Sequence, residues 1–196
     1  MNLSNQKAEG ESHVEKFKLS RRDTVLVIVD VQERLAAAMS ERQSVVANCL
    51  HLIELCKLLD IPIILNEQYP KGLGPTVKEL GEVLGECAPH EKVTFSCCGM
   101  GTFASSLRST GRNKVLLVGM ETHVCVLQTC IDLLAKGYVV HVVGDAVCSR
   151  TRNSYESALC YMRDAGAVVT CTETTLFQLL EKAGTEEFKA ISKRIK

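Results

Sequence analysis

Cys125 closes the run Lys114-Val-Leu-Leu-Val-Gly-Met-Glu-Thr-His-Val-Cys125. The apolar stretch Val115 to Val118 reads as a buried strand and Gly119 as its end. Thr122 reads as the N-cap of a helix running to about residue 136 and closed by Gly137. Cys125 then stands in the first helical turn. Unpaired backbone N–H groups and the helix dipole favour an anion there, and so favour the thiolate, which is the nucleophilic form. The competing reading is a buried structural thiol, because a free cysteine often behaves as a small hydrophobe. The strand–turn–helix setting sets Cys125 apart from the other nine cysteines. Asp30 is the second candidate. A carboxylate within Val29-Asp30-Val31-Gln32 is costly unless it is hydrogen-bonded for structure or used in chemistry. Ligands of open α/β sheets bind beyond the carboxyl ends of strands, and both residues stand at such ends. Lys92, in His90-Glu91-Lys92-Val93-Thr94-Phe95-Ser96, reads by pattern alone as an exposed lysine beside Glu91.

The elements that must position these residues are five short, β-branched, nearly continuous apolar segments at 24–31, 61–65, 114–118, 138–143 and 167–171. Such runs suit strands buried on both faces of a parallel sheet, and a weaker strand is expected over 92–95. Helical patterns fall between them at 40–59, 102–108, 122–136, 153–164 and 174–182. Asn153 and Glu156 have capping-box spacing, and the tail 185–196 reads as a short docked helix. Alternating strands and helices predict an α/β fold with right-handed crossovers. Residues 1–22 are polar and mixed in charge, and read as a flexible arm ahead of one domain over 23–196.

The chain has 196 residues, 46% of them hydrophobic, which is enough for one full-sized core. Its 23 basic residues balance 23 acidic ones, Trp is absent and aromatics are 5%, so neither a nucleic-acid surface nor a stacking platform is expected. No apolar run approaches the ~18 residues of a membrane span. Gly72-Leu-Gly74 and Gly99-Met-Gly101 do not complete a dinucleotide fingerprint. Ten scattered cysteines without a CxxC pair, and no secretory signal, predict free thiols in a reducing compartment; cytoplasm is the expectation and mitochondria the alternative.

Asp30-Val-Gln, Lys92-x-x-Phe-Ser and Gly119-x-Glu-Thr-His-Val-Cys125 stand in the order found in the isochorismatase-like cysteine hydrolases, and the chain resembles that family. The stretch Glu67-Gln-Tyr-Pro-Lys-Gly-Leu-Gly-Pro-Thr-Val77 looks like a signature of its isochorismatase domain-containing branch. The resemblance extends to Ser149-Arg150 and covers about residues 20–196. It implies a three-layer α/β sandwich with a six-stranded parallel sheet, order 3-2-1-4-5-6, flanked by helices. It also implies an Asp30–Lys92–Cys125 catalytic triad. Asp30 would take the thiol proton, Lys92 would offset negative charge, and Cys125 would attack an electrophilic carbon. A cis Met120–Glu121 peptide would turn the Glu121 and Cys125 N–H groups inward as an oxyanion hole.

The nicotinamidase branch carries an Asp-x-His metal motif after the second strand. Here that region reads Asn66-Glu67-Gln68-Tyr69, so no metal and no cofactor are expected. Gln32, Glu67, Tyr69, Leu73 and Phe95 are the candidate substrate-binding residues. Glu67 and Gln68 could equally hold the loop that follows them, and His123 is expected to line the pocket or an interface. The expected activity is metal-independent hydrolysis of a small amide, carbamoyl or related substrate. The alternatives are a non-enzymatic binding protein that keeps the pocket and, less favoured, a nuclease. A homodimer or larger assembly is implied by the resemblance alone.

Overall fold

The computed structural model describes residues 14–195. Six strands, β1 (Thr24–Val29), β2 (Ile63–Gln68), β3 (His90–Lys92), β4 (Lys114–Met120), β5 (Val139–Cys148) and β6 (Val168–Thr170), form one sheet in the order 3-2-1-4-5-6, parallel throughout. Around it lie α1 (Glu33–Ala36), α2 (Arg42–Leu58), α3 (Pro70–Leu73), α4 (Lys78–Leu84), α5 (Gly101–Ser109), α6 (Leu127–Ala135), α7 (Arg152–Asp164), α8 (Thr172–Leu180) and α9 (Glu186–Arg194).

Successive side chains of a strand point to opposite faces, and this divides the interior in two. Leu26 and Ile28 of β1 join Leu116 and Val118 of β4 in packing against α2, α4, α8 and α9. Val25, Val27 and Val29 join Val115 and Leu117 in packing against α5, α6 and α7. The fold is therefore a three-layer α/β sandwich. Both central strands are buried along their whole length, which is why they read as unbroken apolar runs.

The order of the strands reverses between β1 and β4, so two successive crossovers leave the sheet in opposite directions there. The backbones come unusually close at this point. Gly119 pairs with Val29 and has φ +126°, and a Cβ placed on it would lie 1.9 Å from the Val29 carbonyl oxygen. Gly119 was expected to end its strand; it lies within β4 and permits the approach. Only glycine takes this conformation freely.

Other boundaries also differ from the sequence reading. β2 continues through Asn66, Glu67 and Gln68, and β5 runs to Cys148 through Gly144 and Asp145, because ladder pairing overrides polar and glycine residues. The expected strand over 92–95 is instead β3, which ends at Lys92; Val93 and Phe95 are exposed in the turn beyond it. Asn153 does not cap α7; Thr151 does, its side chain accepting from the Ser154 N–H at 3.2 Å. Residues 14–22, expected as part of a flexible arm, are docked. Lys114 Nζ donates to the Lys18 carbonyl at 2.9 Å, His141 Nε2 lies 2.8 Å from the Lys16 carbonyl, and Leu19 is buried. The remainder of that arm, and Lys196, lie outside the described residues.

Replacing Gly119 with Ala is expected to destabilise the protein by about 3 kcal/mol or more, since the methyl group meets backbone that cannot step aside. Chemical denaturation measures this directly, and a wild-type midpoint would refute the close-approach argument.

Candidate active site

Asp30 follows β1 directly and takes a left-handed conformation, φ 54°. Such a backbone costs on the order of 1–3 kcal/mol for a non-glycine residue and is found mostly where surroundings and function demand it. Its N–H donates to the Asn66 carbonyl at 3.1 Å, and its carboxylate is fully buried.

Lys92 meets that carboxylate from the end of β3. Its Nζ lies 2.7 Å from Asp30 Oδ2 and 2.7 Å from Gln68 Oε1. It also lies 3.0 Å from the Phe95 carbonyl and 3.3 Å from that of Thr94. The turn misread as a strand thus exists to bring two carbonyls back onto the ammonium. At 2% exposure and with four acceptors around it, Lys92 Nζ is held against Asp30. The surface lysine expected from pattern is among the most buried side chains of the protein.

Cys125 arrives from β4. The Met120–Glu121 peptide is cis. Thr122 was expected to cap the helix; it lies inside a single π-helical turn, Thr122–Val126, with Glu121 at its head. The Val126 N–H reaches the Glu121 carbonyl at 3.3 Å, and the Thr122 hydroxyl is buried without a hydrogen-bond partner. π-Helical turns concentrate at functional sites. Cys125 is 5% exposed. Burial, followed by the Asp30 charge, pushes its thiol far above the ordinary thiol range, with Lys92 opposing. Burial thus works against the thiolate that a helix start was expected to favour.

Burial likewise raises the Asp30 carboxyl, against the pull of Lys92. Asp30 and Cys125 compete for one proton. Asp30 Oδ2 is held by Lys92, Oδ1 has no well-formed hydrogen bond, and the Cys125 thiol acts on this carboxylate. The constellation is a carboxylate with one free oxygen beside a thiol, set against a permanent cation.

The loop after β3 is also tied to the nucleophile helix. Ser96 Oγ donates to Asp132 Oδ2 at 2.6 Å, and the Cys97 N–H donates to Thr129 Oγ1 at 3.0 Å. Thr129 stands one helical turn beyond Cys125, a spacing visible in the sequence but not singled out there. On the other side, Arg150 donates from N and Nε to Glu121 Oε2 at 3.1 and 3.0 Å, and His123 Nδ1 lies 2.9 Å from Ser149 Oγ.

The expected substrate-binding residues divide. Gln32 is fully buried: its Nε2 donates to the Gln68 and Gly74 carbonyls, and its Oε1 accepts from the Gln68 N–H. It ties β2 to the following loop. Glu67 Oε1 accepts from Thr76 N and Oγ1 at 2.6 and 2.7 Å, so it too holds the loop. Tyr69 and Phe95 are 54% and 53% exposed, and Leu73 is half-buried in α3. The Tyr69 ring folds over Gly72, where a Cβ would come within 2.4 Å of it. In the region where a metal motif would stand, Asn66 Nδ2 donates to the Ile28 carbonyl, and Glu67 and Gln68 are committed as described. Among the described residues no group of three or more His, Cys, Asp and Glu side chains is placed to hold a metal ion.

Lys92→Met would strand the Asp30 carboxylate in the interior and is expected to cost about 3–5 kcal/mol. Without the cation the folded-state pKa of Asp30 rises further above its unfolded value of ~3.9. The deficit relative to wild type should therefore be smallest below that unfolded value and grow as pH rises through the folded one. Paired denaturation curves across acid pH test this; a deficit independent of pH would disprove it.

The isochorismatase domain model matches residues 24–174. The chain is 41% identical to isochorismatase domain-containing protein 2 of Danio rerio, over 90% of this chain and 88% of the relative. It is also 41% identical to the secreted isochorismatase effector Isc1 of Phytophthora sojae, over 91% of this chain and 87% of that one. Among solved structures, the MAR1 ribonuclease of Caenorhabditis elegans superposes with a TM-score of 0.85 at 38% identity, covering 91% of this chain and 92% of its own.

Proposed function

The chain belongs to the isochorismatase family of hydrolases, in its isochorismatase domain-containing branch, and we propose that it is a metal-independent cysteine hydrolase acting on a small amide, carbamoyl or related substrate. The observation that carries the reading is the Lys92–Asp30 pair, 2.7 Å apart and buried, whose free carboxylate oxygen stands beside the Cys125 thiol.

Asp30 takes the Cys125 proton as the sulfur attacks the carbonyl carbon. The resting thiol thus becomes nucleophilic only when a substrate is present to share the developing charge. The carbonyl oxygen gains negative charge and is received by the Glu121 and Cys125 N–H groups. As the tetrahedral adduct collapses, the carbon–nitrogen bond breaks and the proton held by Asp30 leaves with the amine. Water then attacks the thioester, giving a proton to Asp30; the carbon–sulfur bond breaks, and Asp30 returns that proton to the departing sulfur to regenerate the thiol. Lys92 keeps one positive charge against the one negative charge that moves among Asp30, sulfur and oxygen. Tyr69, Leu73 and Phe95 form the substrate rim in this reading.

The exposed apolar side chains of Val93 and Phe95, just after Lys92, and of Tyr69, whose N–H donates to the Lys92 carbonyl at 2.8 Å, support self-association as a homodimer or larger. Ten free thiols support a reducing compartment, the cytoplasm or mitochondria, whereas the Phytophthora relative is secreted by its name. No described helix is long and apolar enough to cross a membrane. The C. elegans structure favours a second reading, RNA cleavage; balanced charge argues against it and for a small-molecule substrate without nucleic acid.

Turnover of a panel of small amides and carbamoyl compounds tests the proposal. Cys125→Ala should fold normally and lose activity by about 10³-fold or more, Asp30→Asn should lose activity and also stability because it strands the Lys92 ammonium, and chelators should leave wild type unaffected. Unimpaired turnover by Cys125→Ala would end the nucleophile assignment. RNA cleavage that disappears in Cys125→Ala would replace the small-molecule substrate with RNA. Mass spectrometry of limited iodoacetamide labelling provides a further test. A buried, protonated Cys125 should be alkylated slowly at neutral pH and faster as pH rises; rapid labelling at pH ~6 would contradict the resting thiol.

A further inference from the structure

A second cavity, of about 390 Å³, opens at the carboxyl end of β5, between the start of α2 and the start of α7. None of Asp30, Lys92 and Cys125 lines it, so it is distinct from the site above. Its volume lies in the range of small-molecule pockets. The floor is built from Val45, Val147 and Cys148, all buried. Cys148 is 2% exposed, and its thiol makes no hydrogen bond among the described residues.

The rim is acidic. Glu41, Asp145 and Glu156 line it against a single cation, Arg152. Two of these carboxylates are committed. Glu156 Oε1 accepts from Arg152 Nε at 2.7 Å, and Asp145 Oδ1 accepts from Thr172 N and Oγ1 at 2.7 and 2.8 Å. Glu41 is different: among the described residues its carboxylate has no hydrogen bond and no ion pair. It lines the cavity together with Cys148 at the floor and Arg152 at the rim.

An anion entering this space would meet three carboxylates and one occupied guanidinium. A bare metal ion would find no group of three or more ligating side chains among the described residues. What fits is a cation that carries its own apolar body, because an aliphatic chain covers the floor while an ammonium group takes the free carboxylate. We propose that the cavity binds a small protonated aliphatic amine, with its nitrogen on Glu41 and its carbon chain on Val45, Val147 and Cys148. The site lies close to the nucleophile turn: Cys148 pairs with Met120 across β4 and β5, and Ser149, also in the cavity wall, touches His123.

Calorimetric titration of the full chain with putrescine, and with butanediol as the neutral isostere, tests the proposal. Saturable one-to-one binding of putrescine is expected, weakened by about ten-fold or more in Glu41→Gln and unchanged in Cys125→Ala, with no measurable binding of the diol. Glu41 is exposed, so its replacement leaves the fold intact. Absence of saturable binding, equal affinity in Glu41→Gln, or equal affinity for the diol would each overturn the assignment. Loss of binding in Cys125→Ala but not in Glu41→Gln would also overturn it, by locating the amine in the triad pocket. The readout is binding rather than turnover, so it stands apart from the hydrolase reading.

Discussion

The ion pair between Lys92 and Asp30 is the constraint around which the rest is arranged. A buried charge is tolerable only when its partner and remaining hydrogen bonds are supplied in full. Here they come from Gln68 on the neighbouring strand and from two carbonyls in the turn after β3. Meeting that demand fixes the length of β3, the reversal of chain after it and the orientation of the Asp30 carboxylate. The polar residues that prolong β2 serve the same end: Gln68 holds the ammonium, Gln32 holds Gln68, and Glu67 holds the loop beyond. Much of what looks like a binding pocket in sequence is scaffolding for one ammonium group.

The second requirement is proximity. Asp30 and Cys125 lie far apart in sequence and meet because β1 and β4 are neighbours at the point where strand order reverses. Gly119 removes the side chain that would hold the strands apart, and the π-helical turn presents Cys125 beside the carboxylate. Both groups stand at this junction, where burial raises the Asp30 carboxyl and the Cys125 thiol alike.

The fold was legible because both central strands are buried on two faces and flanked by strong helical periodicity, so pattern alone separated them. Cys125 and Asp30 were legible through their places at strand ends. Lys92 was not: its burial depends on a turn whose residues, Val93 to Phe95, have the composition of a strand. The burial of Cys125 was equally hidden, since local sequence reveals a helix start but not the depth of the groups packed over it. For Glu67 the sequence left substrate and loop open, and its hydrogen bonds to Thr76 fit the loop; Gln32 likewise bonds to backbone groups. Thr129 carried only its one-turn spacing from Cys125, and Asp132 showed no local signal, because their partners Cys97 and Ser96 are distant in the chain.

The segment around residues 14–19 is fastened by Lys114 and His141, at the amino ends of β4 and β5. The reacting groups stand at the opposite edge, some 20 Å away along strands of this length. The protein therefore has a handle and a working end. At residue 14 the described chain lies beside Lys114 and His141, at the edge of the sheet away from Asp30 and Cys125.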